Sequence, residues 1–257
     1  MKKRFRLSGI YLAVMLFVYY LPVLTVIVFS FNESKLATIW TGFSLEWYKK
    51  LFSNGILLET LKNSLILGAL SCGMSAVIGT VGAIGLVRSK TRIKGMLESA
   101  AVIPIMIPEI ILGMVFMAFF SLLGLRFGML TLVLAHSAFC IPYILLSVKG
   151  ALVGMDSALP EAAMDLGASA MRAFWDIELP LIMPSVLSGT FIALAMSLDD
   201  VVISFFVAGP TTNTLPVKIY SQLRMGVTPE INALCSIMLL ASFILVLCAN
   251  LPHKRIK

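Results

Sequence analysis

Residues 157–180 read SALPEAAMDLGASAMRAFWDIELP, a polar, net acidic stretch between two long apolar runs. Its apolar positions Leu159, Ala162, Ala163, Leu166, Ala170, Phe174 and Ile177 recur at three- and four-residue steps, which predicts helix. Gly167 interrupts that pattern and predicts a turn between two short helices. Pro180 is expected to end the second helix before the next apolar run. The first helix then presents a small, Ala-rich surface able to slot into a partner's groove. A hairpin lying on the bilayer is the alternative, but Glu161, Asp165, Asp176 and Glu178 would face anionic lipid there. Docking to a protein fits the charges better.

The sequence around this stretch is that of an integral membrane protein. Of 257 residues, 59% are hydrophobic and 13% charged, and the mean hydropathy is +0.98. Soluble domains carry about 25% charged residues. So apolar a chain lacks the polar side chains to cover a soluble core, which argues against a cytosolic enzyme, a secreted disulfide scaffold or a disordered tail. Cys72, Cys140, Cys235 and Cys248 all fall inside apolar runs without paired spacing, as expected of packing residues rather than disulfides or metal ligands.

A hydrocarbon core about 30 Å thick takes about 20 helical residues to cross. Six stretches qualify: Ile10–Phe31, Leu61–Val87, Leu97–Gly124, Met129–Val148, Leu181–Ala208 and Ala233–Leu251. The first lacks a small-residue cleavage site and reads as an uncleaved anchor. With the N-terminus inside, the inner segments hold Lys2, Lys3, Arg4, Arg6, Arg88, Lys90, Arg92, Lys94, Lys149, Arg172, Lys254, Arg255 and Lys257. The outer ones hold Lys35, Lys49, Lys50, Lys62, Arg126, Lys218 and Arg224. Thirteen basic residues against seven put both termini in the cytoplasm. The net charge of +7 is thereby read as topology rather than nucleic-acid binding. In the second span, Ser71, Ser75, Gly79 and Ala83 recur every fourth residue, with Gly68, Cys72 and Ala76 beside them, as expected of tight helix packing in lipid.

No G-x-x-x-x-G-K-[ST] phosphate loop occurs, and no soluble segment is long enough for a nucleotide-hydrolysing domain. Active transport would draw on an ion gradient or on an ATPase from another chain. Glu161-Ala162-Ala163, then Gly167, then Ile177-x-Leu179-Pro180 resembles the EAA loop of ABC-importer permeases, with its internal spacing. Phe29-Ser30-Phe31-Asn32, Trp40-x-Gly42-Phe43-Ser44 and Trp47-Tyr48 resemble the first periplasmic segment of the polyamine-type permeases of spermidine/putrescine importers. So do Ser197-Leu198-Asp199-Asp200-Val201-Val202, Gly209-Pro210, Leu215-Pro216 and Gly226-Val227-Thr228-Pro229-Glu230-Ile231-Asn232-Ala233.

The resemblance implies an all-α membrane protein with six transmembrane helices in the type I ABC-importer (MetI-like) fold, set in a bacterial inner membrane. It implies a homologous second permease, two copies of an ATPase and a periplasmic polyamine-binding protein docking on residues 32–60 and 209–232. ATP and Mg would bind the ATPase, so this chain needs no cofactor or metal and performs no covalent chemistry. Glu161, Ala162, Ala163, Asp165, Leu166, Gly167 and Ala168 would form the ATPase coupling loop.

Acids inside spans are rare and tend to face cavities or pathways. Glu109 lies twelve residues beyond Leu97, about 18 Å into its span and near the bilayer middle, after Pro104 and Pro108. A broken helix carrying an ionisable group at midplane is one way transporters build a substrate site. Asp199 and Asp200 fall in the outer third of the fifth span; they line the pathway, sit where the helix ends, or cap the next helical segment. Spaced carboxylates suit a polyamine, and Tyr143, at a depth similar to Glu109, offers a ring for cation–π contact or for core packing. The resemblance implies acids at the Glu109 and Asp199 positions, with aspartate usual at the first. His136 reads as a hydrogen-bonded packing residue. The competing readings are import of another cation, a proton-coupled carrier using the same acids, and an intramembrane hydrolase with His136 and a span serine; the last two need no docking hairpin.

Overall fold

Helices account for most of the described residues in a computed structural model that covers residues 2–34, 39–156, 158–225 and 229–249. Lys35, Gly226–Thr228 of the last loop motif, the expected span end at Leu251, and the tail with His253, Lys254, Arg255 and Lys257 lie outside the described residues. In chain order the helices are α1 (Lys2–Phe29), α2 (Glu46–Ser53), α3 (Gly55–Arg88), α4 (Lys94–Met106), α5 (Glu109–Leu122) and α6 (Met129–Gly154). There follow α7 (Ala158–Asp165), α8 (Ala170–Ala173), α9 (Leu179–Asp199), α10 (Val202–Val207), α11 (Leu215–Met225) and α12 (Pro229–Ala249). Among the described residues four helical stretches are long and apolar enough to cross a membrane, and five if the bent pair α4 and α5 forms one span. By contact the chain divides into two units, Met1–Leu58 with Ile219–Lys257, and Glu59–Lys218.

In the unit Glu59–Lys218, α6 is the central helix, with Leu132, Ala135, Cys140, Ile144 and Val148 fully buried or nearly so. Small residues on its neighbours make that possible. A Cβ added at Gly189 of α9 would come within 2.9 Å of the Ile144 Cα, and one at Gly79 of α3 within 3.0 Å of the Ile144 Cβ. Hydroxyls fasten the three helices: Ser75 Oγ donates to the Ser137 carbonyl at 3.0 Å and Ser147 Oγ to the Ser185 carbonyl at 2.8 Å. The four-residue row on α3 is thus a packing face, with Ser71, Ser75 and Ala83 buried. In lipid, where apolar surface gains nothing from meeting apolar surface, such close contacts and hydrogen bonds carry helix association.

Two expected spans are interrupted. The stretch Leu97–Gly124 is not one helix: α4 and α5 meet at 106°. Pro108 has no N–H for the ladder, and its ring disfavours the helical region for the residue before it. Ile107 accordingly lies at φ −81°, ψ 133° and Pro108 at φ −53°, ψ 132°. Pro104 stays inside α4. The stretch Leu181–Ala208 is likewise broken, because Asp200 is extended at φ −66°, ψ 122° between α9 and α10.

Pro180 does not end a helix. Phe174–Glu178 widens into one π-helical turn in which the Leu179 N–H donates to the Phe174 carbonyl, and α9 continues through Pro180. A proline's missing donor and its clash with the carbonyl four residues back are accommodated by widening one turn rather than stopping the helix. Ala170–Asp199 is therefore helical over 30 residues.

In the other unit, α12 packs against both α1 and α2. The turn after α1 is tied around Asn32, which is fully buried. Its side-chain amide donates to the Ile39 carbonyl at 2.7 Å and its Oδ1 accepts from the Thr41 N–H at 3.0 Å, while Trp47 Nε1 donates to the Asn32 carbonyl at 2.7 Å. Ser30 and Tyr48 hydroxyls meet at 2.7 Å, and Phe31 stacks on Phe43 at 5.4 Å between centroids. The aromatic and polar residues singled out between Phe29 and Tyr48 thus close one knot.

Candidate functional site: acids at two helix breaks and a polar hairpin

Each break in an apolar helix sets a carboxylate beside it. Glu109 is the first residue of α5, where the positive end of the helix dipole favours an acid. Asp199 is the last residue of α9, where the dipole disfavours one. Both are exposed. Helices α5 and α10 pack closely, and a Cβ on Gly113 would meet Phe206 Cδ2 at 2.7 Å. The Glu109 carboxylate consequently lies within electrostatic reach of Asp199 and Asp200. Among the described residues, the Glu109 and Asp199 side chains make no hydrogen bond and no ion pair with a basic group. Tyr143, half-buried on α6 after Pro142, meets Phe139 edge-on at 5.6 Å and is close enough to Glu109 to feel its charge.

Asp200, expected beside Asp199, is placed differently. Its side chain is 2% exposed. Oδ1 accepts from the Ile203 N–H at 3.0 Å and Oδ2 from the Ser204 N–H at 2.8 Å, so that it caps α10. His136 Nε2 lies 3.3 Å from the same Oδ2. On the other side of the ring, Nδ1 lies 2.9 Å from the Ser197 hydroxyl. The Ser204 hydroxyl completes the cluster, 3.0 Å from Nε2. Ser197 and Ser204 passed unnoticed in the sequence as functional residues. Their signal was spacing, three before and four after Asp200, which is one face of a helix.

The hairpin forms as its pattern predicts. At the end of α7 the Gly167 N–H donates to the Met164 carbonyl at 2.9 Å and the Ala168 N–H to the Ala163 carbonyl at 3.0 Å. This is a Schellman closure, which needs a left-handed residue; Gly167 supplies φ +93°. Ser169 then caps α8 by accepting from the Arg172 N–H. Glu161, Ala162, Asp165, Leu166 and Gly167 are exposed, Leu166 at 91%, while Ala163 and Ala168 are half-buried. The hairpin's base is held by an ion pair between Arg88 at the end of α3 and the buried Glu178. Both had been read only by their charge, one as a topology marker and one as part of an acidic loop. A cavity of about 390 Å³ beneath the turn is lined by Arg88, Met155, Glu161, Met164, Phe174 and Glu178. Among the described residues no group of three His, Cys, Asp or Glu could hold a metal ion.

The family described as binding-protein-dependent transport system inner membrane component matches residues 75–256. The spermidine/putrescine transport system permease protein PotC of Escherichia coli (strain K12) is 38% identical over 232 residues, 90% of this chain and 88% of that protein. The putrescine transport system permease protein PotI of the same strain is 40% identical over 228 residues, 86% of this chain and 81% of the relative. A chain from the crystal structure of a bacterial ABC transporter involved in the import of the acidic polysaccharide alginate superposes with a TM-score of 0.74. It covers 100% of this chain and 97% of its own at 11% identity, a likeness of fold alone. The chain belongs to the family of inner-membrane components of binding-protein-dependent transport systems.

Proposed function

We propose that this chain is a permease subunit of an ABC importer that moves polyamines, spermidine or putrescine, across a bacterial inner membrane. Six spans with both termini in the cytoplasm would carry it, with α12 as the sixth. A homologous permease completes the pathway, a periplasmic binding protein delivers the solute, and a separate ATPase dimer binds ATP and Mg. The chain itself breaks no covalent bond. Its hairpin from Glu161 to Ala168 is the handle through which the ATPase moves the spans, and its exposed Leu166 and Gly167 turn suits insertion into a cleft.

The observation that carries the polyamine reading is the exposed pair Glu109 and Asp199, within electrostatic reach of each other and without a basic partner among the described residues. Carboxylates so placed in apolar surroundings repel one another until a cation enters. A polyamine supplies ammonium groups spaced by methylenes, matching separated acids and the ring of Tyr143. Asp200 is already engaged by α10 and His136, so the solute meets Asp199 rather than its neighbour.

The test is uptake of radiolabelled spermidine and putrescine by proteoliposomes containing the assembled importer. Glu109→Gln and Asp199→Asn should each slow uptake about ten-fold while complex yield is unchanged. Wild-type rates in both variants would remove the acids from the pathway. Uptake without ATPase or nucleotide would instead favour a proton-coupled carrier.

A further inference from the structure

The polar cluster around His136 is more than satisfied packing. Four buried side chains from three helices and the break between two of them meet there: His136 on α6, Ser197 near the end of α9, Asp200 in the break, and Ser204 on α10. At its other end α10 is also tied to α6, because Thr131 Oγ1 donates to the Val207 carbonyl at 2.8 Å. The six-residue α10 is thus fastened to α6 at both ends, and α9 is fastened to the same helix through Ser197. Asp199 is the residue between those fastenings, and it points to the exposed side while its neighbour points inward.

We propose that His136, Ser197, Asp200 and Ser204 form a lock that ties the end of α9 to α6, and so fixes the position of Asp199. His136 and Asp200 are positioning residues that act through Asp199 and do not touch the solute. The inference rests on the pathway role proposed above for Asp199. The physical basis is geometric. Asp200–Val201 contains neither proline nor glycine, so the one local signal that ends α9 at Asp199 is the Asp200 cap on α10. Two backbone N–H groups of α10 and the imidazole, itself held by the Ser197 and Ser204 hydroxyls, engage the Asp200 carboxylate and keep its residue out of α9. Without His136, the last turn of α9 loses its tie to α6 at Ser197, and Asp199 its fixed place beside that tie.

The experiment is a double-mutant cycle on spermidine uptake per assembled importer, in proteoliposomes with its second permease, ATPase and binding protein. His136→Ala should slow uptake about ten-fold, as Asp199→Asn does, yet less than two-fold more when added to Asp199→Asn, because residues acting through one another are not additive. His136→Gln, which keeps an N–H and an acceptor, should restore most of the rate. Equal slowing by His136→Ala in both backgrounds would show a merely structural role and overturn the inference, with the pathway reading intact. Normal uptake in His136→Ala overturns it too. Asp199→Asn at the wild-type rate would sink the pathway reading and this inference together. If His136→Ala fails to assemble, Ser197→Ala, which removes one hydroxyl, takes its place in the cycle and is judged by the same two patterns.

Discussion

The breaks before Glu109 and at Asp200 both interrupt an apolar helix beside an acid, but they are built in opposite ways. The first is local. Pro108 lacks a donor and excludes its predecessor from the helical region, so the turn between α4 and α5 needs no partner elsewhere. Its acid is left exposed. The second has no breaker residue; it exists because the Asp200 carboxylate finds two N–H groups of the next helix and an imidazole from α6. Its acid is consumed in making the break, and the exposed one is the residue before it. An acid that holds structure and an exposed acid therefore sit next to each other at 200 and 199, distinguished by their partners among the described residues.

The sharpest way to break this contrast is Asp200→Ala. It leaves His136 and the first turn of α10 without their buried acceptor, and removing one partner of a buried pair costs about 3–5 kcal/mol. The purified complex should unfold at a clearly lower Tm; a Tm equal to wild type would mean the cluster holds nothing. Gly167→Val probes a third interruption, the hairpin turn, which is as local as Pro108. An added side chain meets open space there, so only the left-handed backbone at φ +93° is strained, by about 1–2 kcal/mol. Membrane insertion should persist while ATP-driven uptake falls, and normal coupled uptake would detach the turn from the motor. The smallest effect is expected of Glu109→Gln on stability, within about 0.5 kcal/mol as for exposed side chains without partners. A large Tm loss in that variant, read beside its uptake rate, would reveal that Glu109 also holds structure.

Much of this could be read from the residues alone. The hairpin was legible because a helical period, a glycine and an acidic face are local signals, and they folded as written. The break before Glu109 was half legible: Pro104 and Pro108 both precede it, but the chain leaves the helix at Ile107–Pro108 while Pro104 stays inside α4. Pro180 misled, since a single π-helical turn upstream accommodates a proline that would otherwise stop the helix. Arg88 and Glu178 lie ninety residues apart, and no spacing rule links them. The partnership of His136 with Asp200, across α6 and the α9–α10 break, was equally invisible, although the packing role of His136 was evident from its solitude in an apolar run.

Composition, charge placement and the spacing of the hairpin by themselves determined that this is a helical membrane protein with a polar hairpin between apolar helices, because each depends on near neighbours in the chain. Only the tertiary structure decided which of two adjacent aspartates is free. That choice depends on an imidazole brought in from another helix, and a buried carboxylate goes where hydrogen-bond donors await it.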